Sequence, residues 1–257
     1  MKKGKNILFG VLILIAAVAI GYLVYYFTSQ YSNEQIYEDL KEEVQATPTA
    51  TPEPTAVPEV TESITPTVVP TTIDFQPLWD VNPEVVAWIE VPGTAIAYPV
   101  LQSASDDTYY LDHTIEGAAG YPGSIYIESN NHATFSDYNM VLYGHNMKNG
   151  TMFADLHRYT DLSYMQTNHQ VIIDTPEQKL TYEIFAAVNY SDAHILNVYD
   201  NMTLEGRQEF LDSIYNSSGI FRDDVEVTAA DQILTLSTCI TGQDNKRFLV
   251  EAVLVHE

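Results

Sequence analysis

The stretch Ile233-Leu-Thr-Leu-Ser-Thr-Cys239 alternates side chains in the manner of a half-buried β-strand that ends at a thiol. Its two predicted faces carry Leu234, Leu236 and Thr238 on one side and Thr235, Ser237 and Cys239 on the other. Cys239 is the only cysteine in 257 residues, which excludes an intramolecular disulfide and a cysteine-rich zinc site. A lone cysteine is most often a small buried apolar residue, and that interpretation stays open beside a reactive thiol.

Arg247 follows Cys239 after the turn-like residues 240–246 and opens another predicted strand, 248–256. If the two strands form a hairpin, Cys239 and Arg247 lie across its mouth. Arginine keeps its charge and offers several donors, so it suits a developing oxyanion or a substrate carbonyl. The alternative is a surface arginine on an edge strand of a very acidic protein.

His145 is the histidine best placed to serve Cys239, because it follows an apolar strand and a glycine in Asn139-Met-Val-Leu-Tyr-Gly-His-Asn146. The other histidines have polar loop or short-helix contexts (His132, His157, His169) or follow an aspartate (His113). No pair has the His-Glu-x-x-His spacing of a zinc site, so no metal is expected. A cysteine and a distant histidine together supply what thiol chemistry needs, a nucleophile and a proton donor for the leaving amine.

Short β-like runs separated by turn residues dominate the C-terminal part of the chain. Eight strands are predicted, at 87–91, 96–101, 124–128, 140–143, 170–174, 180–189, 233–238 and 248–256. So many short strands with few long helices favour a mostly β fold, a closed or nearly closed barrel.

Two helices are predicted beside these strands. Asn82-Pro83 has the form of a helix start, with a cap followed by proline at the first helical position. Residues 203–217 place apolar side chains on one helical face, with Thr203 as the N-cap and Gly219 as the end signal.

The N-terminus predicts a membrane anchor. Residues 1–6 carry three lysines and form a short cytoplasmic tail, and residues 7–27 are 21 uncharged residues, enough to span a bilayer. A cleaved signal peptide is the alternative, since Ala17-Val18-Ala19 resembles a cleavage site, but the apolar run continues past it.

Between the anchor and the strands lies a juxtamembrane region, residues 28–72. Residues 31–45 predict a short helix, and residues 46–72 hold six of the twelve prolines among many threonines. That composition cannot bury a core and predicts an extended stalk. Residues 73–257 are then one folded domain. The formal charge of −24 repels phosphate backbones, which argues against nucleic-acid binding.

Several of these motifs occur together in the order found in sortases. The chain resembles that family in Trp88-Ile-Glu-Val-Pro-Gly-Thr94, Tyr98-Pro-Val-Leu-Gln102, Tyr143-Gly-His-Asn146, Gly150-Thr-Met-Phe-Ala-Asp-Leu156, Thr235-Leu-Ser-Thr-Cys239 and Lys246-Arg247. The resemblance runs from residue 82 to the C-terminus, and its Thr-Leu-Ser-Thr-Cys and Tyr-Gly-His-Asn-Met forms are most like class B. The segment between Cys239 and Arg247 is shorter than in many class B members.

The resemblance implies a closed eight-stranded barrel and a cysteine transpeptidase outside a bacterial, Gram-positive cell. By motif, Cys239 would be the nucleophile, His145 the acid/base and Arg247 the oxyanion or substrate-positioning residue. Thr235, Ser237 and Thr238 are expected to contact the substrate. Implied partners are exported proteins with a C-terminal sorting motif and an amine of a cell-wall precursor, with no metal or organic cofactor.

Two other functions stay open on the residues alone. A pilin-polymerising or housekeeping sortase would use the same chemistry on a different acceptor. A non-catalytic binding module on a stalk would carry Cys239 as a merely structural residue.

Overall fold

The computed structural model describes residues 2–46 and 69–255. The chain divides into two compact units, the first 40 residues and the remainder from Lys41. Most of the predicted stalk, residues 47–68, lies outside the described residues, as does the end of the last predicted strand.

The N-terminal unit is helical. Helix α1 (Lys2–Ala46) runs without a break through both the predicted anchor and the predicted helix at 31–45. Its segment Phe9–Ser29 is 21 residues long with a mean hydropathy of 2.3, which is long and apolar enough to cross a membrane.

The second unit is a β-barrel with short helices around it. Its helices are α2 (Gln76–Val81), α3 (Leu162–Thr167), α4 (Ile195–Val198) and α5 (Leu204–Tyr215), with 3₁₀ turns at Tyr109–Leu111 and Ala154–Thr160. Its strands are β1 (Val85–Glu90), β2 (Ala97–Leu101), β3 (Ile125–Tyr126), β4 (Asn139–Tyr143), β5 (Gln170–Asp174), β6 (Lys179–Ser191), β7 (Ser218–Phe221), β8 (Ile233–Ile240) and β9 (Gln243–Leu254).

Eight of these strands close into a ring, which confirms the predicted barrel. The order is β5-β1-β2-β3-β4-β8-β9-β6, and β6 pairs back onto β5. The pairs β2–β3 and β4–β8 are parallel, and the other pairs are antiparallel. Strand β7, which the sequence did not predict, pairs with the half of β6 that extends beyond β5.

Helix α5 covers part of this barrel. Thr203 caps it by accepting a hydrogen bond from the Gly206 N–H, as predicted. Phe210, Leu211 and Ile214 are buried in a cluster with side chains of β4, β6, β8 and β9. Burying each of these side chains stabilises the fold by about 2 kcal/mol.

Two predictions of where a helix begins or ends were wrong. Asn82-Pro83 ends a helix instead of starting one, because α2 already begins beside Pro77 and Asn82 is extended at φ −152° and ψ 112°. A residue before proline avoids the helical region, so the dipeptide stops the helix. Gly219 does not end α5 but lies in β7, where an added Cβ would meet the Ala187 carbonyl of β6.

The folded part of the chain extends upstream of residue 73. The Val69 carbonyl accepts a hydrogen bond from the Lys179 N–H at 2.8 Å, and the Thr71 hydroxyl donates to Asp174 at 2.8 Å. The last residues assigned to the stalk are therefore bonded to β5 and β6. The division at 28–72 and 73–257 stays a prediction.

Candidate active site

Cys239 lies at the exposed end of β8, directly opposite Arg247 in the β8–β9 hairpin. The register is regular up to this pair and shifts beyond it, where Ile240 pairs with Gln243. Strand β9 begins at Gln243 rather than at the predicted 248, because the hairpin turns tightly at 241–242 and β9 accommodates extra residues in a bulge.

The parallel ladder between β4 and β8 brings His145 to the same end of the barrel. Tyr143 pairs with Ser237, so His145 and Cys239 each lie two residues beyond that pair. The Gly144 N–H donates to the Ser237 carbonyl at 3.2 Å. A Cβ at Gly144 would lie 2.5 Å from the Ile125 side chain and 2.7 Å from the Phe153 ring, so a larger residue before this histidine would force these side chains to shift.

The imidazole of His145 is oriented by two contacts. Its Nε2 lies 2.7 Å from the Leu111 carbonyl, and Tyr121 meets the ring edge-on at 5.1 Å between centroids. A carbonyl can only accept, so Nε2 carries the proton. Nδ1 is therefore the nitrogen left for proton exchange.

A pocket of about 220 Å³ gathers these groups. Cys239, His145 and Arg247 all line it, and residues 191–195 form one wall. Arg247 donates from Nη1 to the carbonyls of Asp244 and Lys246, at 3.0 and 2.9 Å, which orients the guanidinium. A thiol, an imidazole and a guanidinium on one pocket are suited to acyl transfer through a thioester.

Comparison with known proteins identifies the family. A profile described as Sortase domain matches residues 89–255. This chain belongs to the sortase family. It is 32% identical to sortase B of Listeria monocytogenes over 185 residues, covering 71% of this chain and 74% of that protein.

Solved sortase B structures share its fold. The Clostridium perfringens enzyme has a TM-score of 0.64 and 31% identity, covering 71% of this chain and 100% of that one. A Staphylococcus aureus sortase B–substrate complex has a TM-score of 0.63 and 31% identity, covering 71% of this chain and 84% of that one. These relatives support the class B assignment within the sortase family.

Two of the three predicted substrate-contacting residues lie at the sortase pocket. Ser237 and Thr238 line it. Thr235 does not, because it is fully buried and its hydroxyl lies 2.7 Å from Glu251 and 2.9 Å from Asn139. We therefore no longer expect a substrate contact at Thr235.

A cluster that the sequence did not reveal lies at the pocket, which three of its members, Tyr126, Tyr143 and His194, line. The rings of Tyr126 and Tyr143 stack at 5.3 Å, and burial raises the pKa of both phenols. Burial also raises the pKa of Glu128, and His194 opposes that rise from 2.6 Å. Of these residues, only Tyr143 lies within a motif quoted from the sequence. Folding brings the other three to it from separate parts of the chain, which no local pattern indicates.

His157 is a second residue that the sequence did not assign to the site. Its Nε2 lies 3.1 Å from the Cys239 carbonyl, although its local context is a polar 3₁₀ turn. In contrast, His132 is largely exposed and lies 2.7 Å from Asp137. Among the residues that the structure describes, no group of three or more side chains could hold a metal ion.

Proposed function

We propose that this protein is a class B sortase that cleaves a sorting motif in exported proteins and transfers the acyl group to a primary amine. The proposal depends on one observation, that Cys239, His145 and Arg247 line the same pocket. The substrate complex known for S. aureus sortase B and a sortase B structure complexed with triglycine support both a peptide donor and an amine acceptor.

In the first half-reaction the Cys239 thiolate attacks the scissile carbonyl, forming a C–S bond. Arg247 donates hydrogen bonds to the oxyanion, and His145 gives a proton from Nδ1 to the leaving amine as the C–N bond breaks. The products are a thioester on Cys239 and a free peptide amine. In the second half-reaction an acceptor amine attacks the thioester, His145 takes its proton, and Cys239 leaves as thiolate.

A membrane anchor formed by the apolar part of α1 would give this chemistry a location. Lys2, Lys3 and Lys5 precede the apolar segment, and basic flanks stay in the cytoplasm. The catalytic domain would then lie outside the cell at the end of the Pro/Thr-rich stalk. External protease applied to intact cells should release a soluble domain, whereas a mature N-terminus near Ile20 would establish a cleaved signal peptide instead.

Trapping the intermediate tests the reaction. Detergent-solubilised full-length protein would be incubated with a peptide library, with and without triglycine, and followed by intact mass. We expect an acyl adduct on Cys239, its discharge by triglycine, and no adduct in Cys239→Ala. Turnover by Cys239→Ala would contradict the mechanism. A lysine-bearing pilin peptide preferred over triglycine would instead indicate the pilin-polymerising class.

A further inference from the structure

The carbonyl of Cys239 lies just beyond the last backbone hydrogen bond between β4 and β8. The last β4–β8 bond is Gly144 N–H to the Ser237 carbonyl. Because carbonyls alternate along a strand, the carbonyl of Cys239 points to the same side as that of Ser237. The main chain after β4 has already turned away, since the His145 carbonyl accepts from the Phe153 N–H at 2.9 Å.

Two side chains meet this carbonyl. Asn146 Nδ2 lies 3.2 Å from it and 3.4 Å from the Thr241 hydroxyl. His157 Nε2 lies 3.1 Å from the same carbonyl, and its ring stacks on Phe248 at 4.7 Å between centroids.

The two side chains also support each other, at 3.0 Å between Asn146 Nδ2 and His157 Nε2. If His157 Nε2 carries a proton, both residues donate to the Cys239 carbonyl, which has two lone pairs. If it does not, it accepts from Asn146, whose second amide hydrogen still reaches the carbonyl. In either tautomer, Asn146 can donate to the peptide of Cys239.

We propose that Asn146 is a positioning residue that fixes Cys239 relative to His145, with His157 as its support. Asn146 is covalently next to His145, and its amide extends the β4–β8 ladder by one bond to the peptide of Cys239. The neighbouring imidazole is fixed from its other side by Leu111. Beyond the β4–β8 ladder, the separation of acid/base and nucleophile thus depends on one side-chain hydrogen bond. The inference builds on the proposed function.

The first experiment needs no peptide substrate. Alkylation of Cys239 by iodoacetamide is measured against pH for wild type, Asn146→Ala, His145→Ala and the double variant. Asn146 is proposed to act through the Cys239–His145 geometry. The pH midpoint of Cys239 alkylation in Asn146→Ala should therefore move toward the midpoint measured in His145→Ala. Adding Asn146→Ala to His145→Ala should produce no further move.

Other ionisable groups could also influence the thiol, and the double variant separates them. The groups that line the pocket or touch the Cys239 peptide are His145, His157, Asp192, His194, Arg247, Tyr126 and Tyr143. An equal shift from Asn146→Ala in the presence and absence of His145 would overturn the proposal. So would coincident profiles of wild type, Asn146→Ala and His145→Ala.

The second experiment measures turnover of a peptide found in the library. A displacement of about 1 Å at the reacting atoms can cost about 10²-fold. We expect Asn146→Ala and Asn146→Asp to lower kcat by about 10- to 100-fold with KM within about twofold. His157→Phe keeps a ring that can stack on Phe248 but loses the polar contact, and should give a smaller loss in kcat. Asn189→Ala, at an exposed asparagine of β6, is the matched control and should keep the wild-type kcat.

The two experiments also distinguish the inference from the proposed function. If no peptide is turned over by wild type, the alkylation profiles still test the coupling through Asn146. If Asn146→Ala lowered kcat and raised KM by the same factor, and also greatly lowered the melting temperature, Asn146 would have a merely structural role. That result would overturn the proposal.

Discussion

Cys239 and Arg247 are paired across the β8–β9 hairpin even though residues 240–246 separate them in sequence. The tight turn and the bulge in β9 take up these residues. Arg247 returns to face Cys239 and bonds through Nη1 to two carbonyls of the bulge. The guanidinium is therefore oriented before any substrate arrives, which is the condition for electrostatic stabilisation of an oxyanion without reorganisation.

Arg247→Lys should lower kcat/KM by about 10²- to 10³-fold, although the charge is kept. An ammonium lacks the planar fork that bonds the bulge and the oxyanion at once, and removal of one oxyanion donor typically costs that much. Steady-state transpeptidation measures the loss. Lys246→Met, which removes the neighbouring charge, should retain most activity. A normal rate for Arg247→Lys would show that Arg247 is only a surface charge with no specific role in the reaction.

His145→Ala should lower acylation by several orders of magnitude, because the leaving amine loses its proton donor. The wild-type pH–rate profile should be bell-shaped, and its two limbs report the coupled Cys239–His145 pair rather than either group alone. His132→Ala changes an exposed histidine away from the pocket and is the control. It should retain the bell-shaped pH–rate profile. A flat wild-type profile from about pH 5 to 10 would argue against the pair.

The local parts of this structure were readable from the sequence, and the parts made by long-range pairing were not. Alternation and turn dipeptides located the eight barrel strands and the mouth at Cys239, because those signals lie within a few residues of one another. Strand β7 is only four residues long, and it forms a strand because it pairs with β6. No local signal predicts such a strand.

The site divides in the same way. A strand, a glycine and an imidazole marked His145, and the family resemblance supplied its role. The approach of His157 and Asn146 to the Cys239 carbonyl depends on the parallel β4–β8 ladder, which joins segments more than 90 positions apart. Thr235 was misassigned because its hydroxyl bonds to a carboxyl of β9, which strand alternation alone cannot reveal.

That carboxyl, Glu251, makes the stability of the domain depend on pH. It is fully buried, and burial raises its pKa to about 8. Since the folded-state pKa lies above the unfolded value, folding favours the protonated acid. The group costs no stability below about pH 4.5, costs progressively more up to about pH 8, and costs a constant amount above that. At pH 7 the cost is about 3 kcal/mol.

Glu251→Gln should therefore raise the free energy of unfolding at pH 7 to 8 and flatten its dependence on pH. Glutamine has a similar shape, cannot ionise, and its amide oxygen can still accept from the Thr235 hydroxyl. Denaturant unfolding at pH 5, 7 and 8.5, followed by near-UV circular dichroism, measures the effect. Glu226→Gln, at an exposed position, should leave the slope unchanged. An unchanged slope in Glu251→Gln would show that Glu251 is ionised in the folded protein.

The connection between β6 and β8 has two parts with different tasks. Residues 191–195 form a wall of the pocket, whereas α5 packs Phe210, Leu211 and Ile214 into the core cluster. The helix thus covers the barrel, and the stretch before it faces the pocket. That stretch is fastened to the β3–β4 connection by the 2.6 Å contact of His194 with Glu128 and by a 3.2 Å hydrogen bond between Asn130 and Asn197.

Exchanging residues 191–199 for the equivalent stretch of S. aureus sortase B should change which peptide is cleaved, while the reactivity of Cys239 is kept. The physical reason is that the exchange replaces a pocket wall without changing Cys239, His145 or Arg247. A second chimera that replaces only exposed positions of α5 is the matched control and should keep the original preference. Competition between peptides, read by mass spectrometry of the acyl-enzyme, measures both. If the first chimera folds, alkylates normally and still selects the original peptide, specificity is determined elsewhere on the pocket, and the stacked pair Tyr126 and Tyr143 becomes the next surface to exchange.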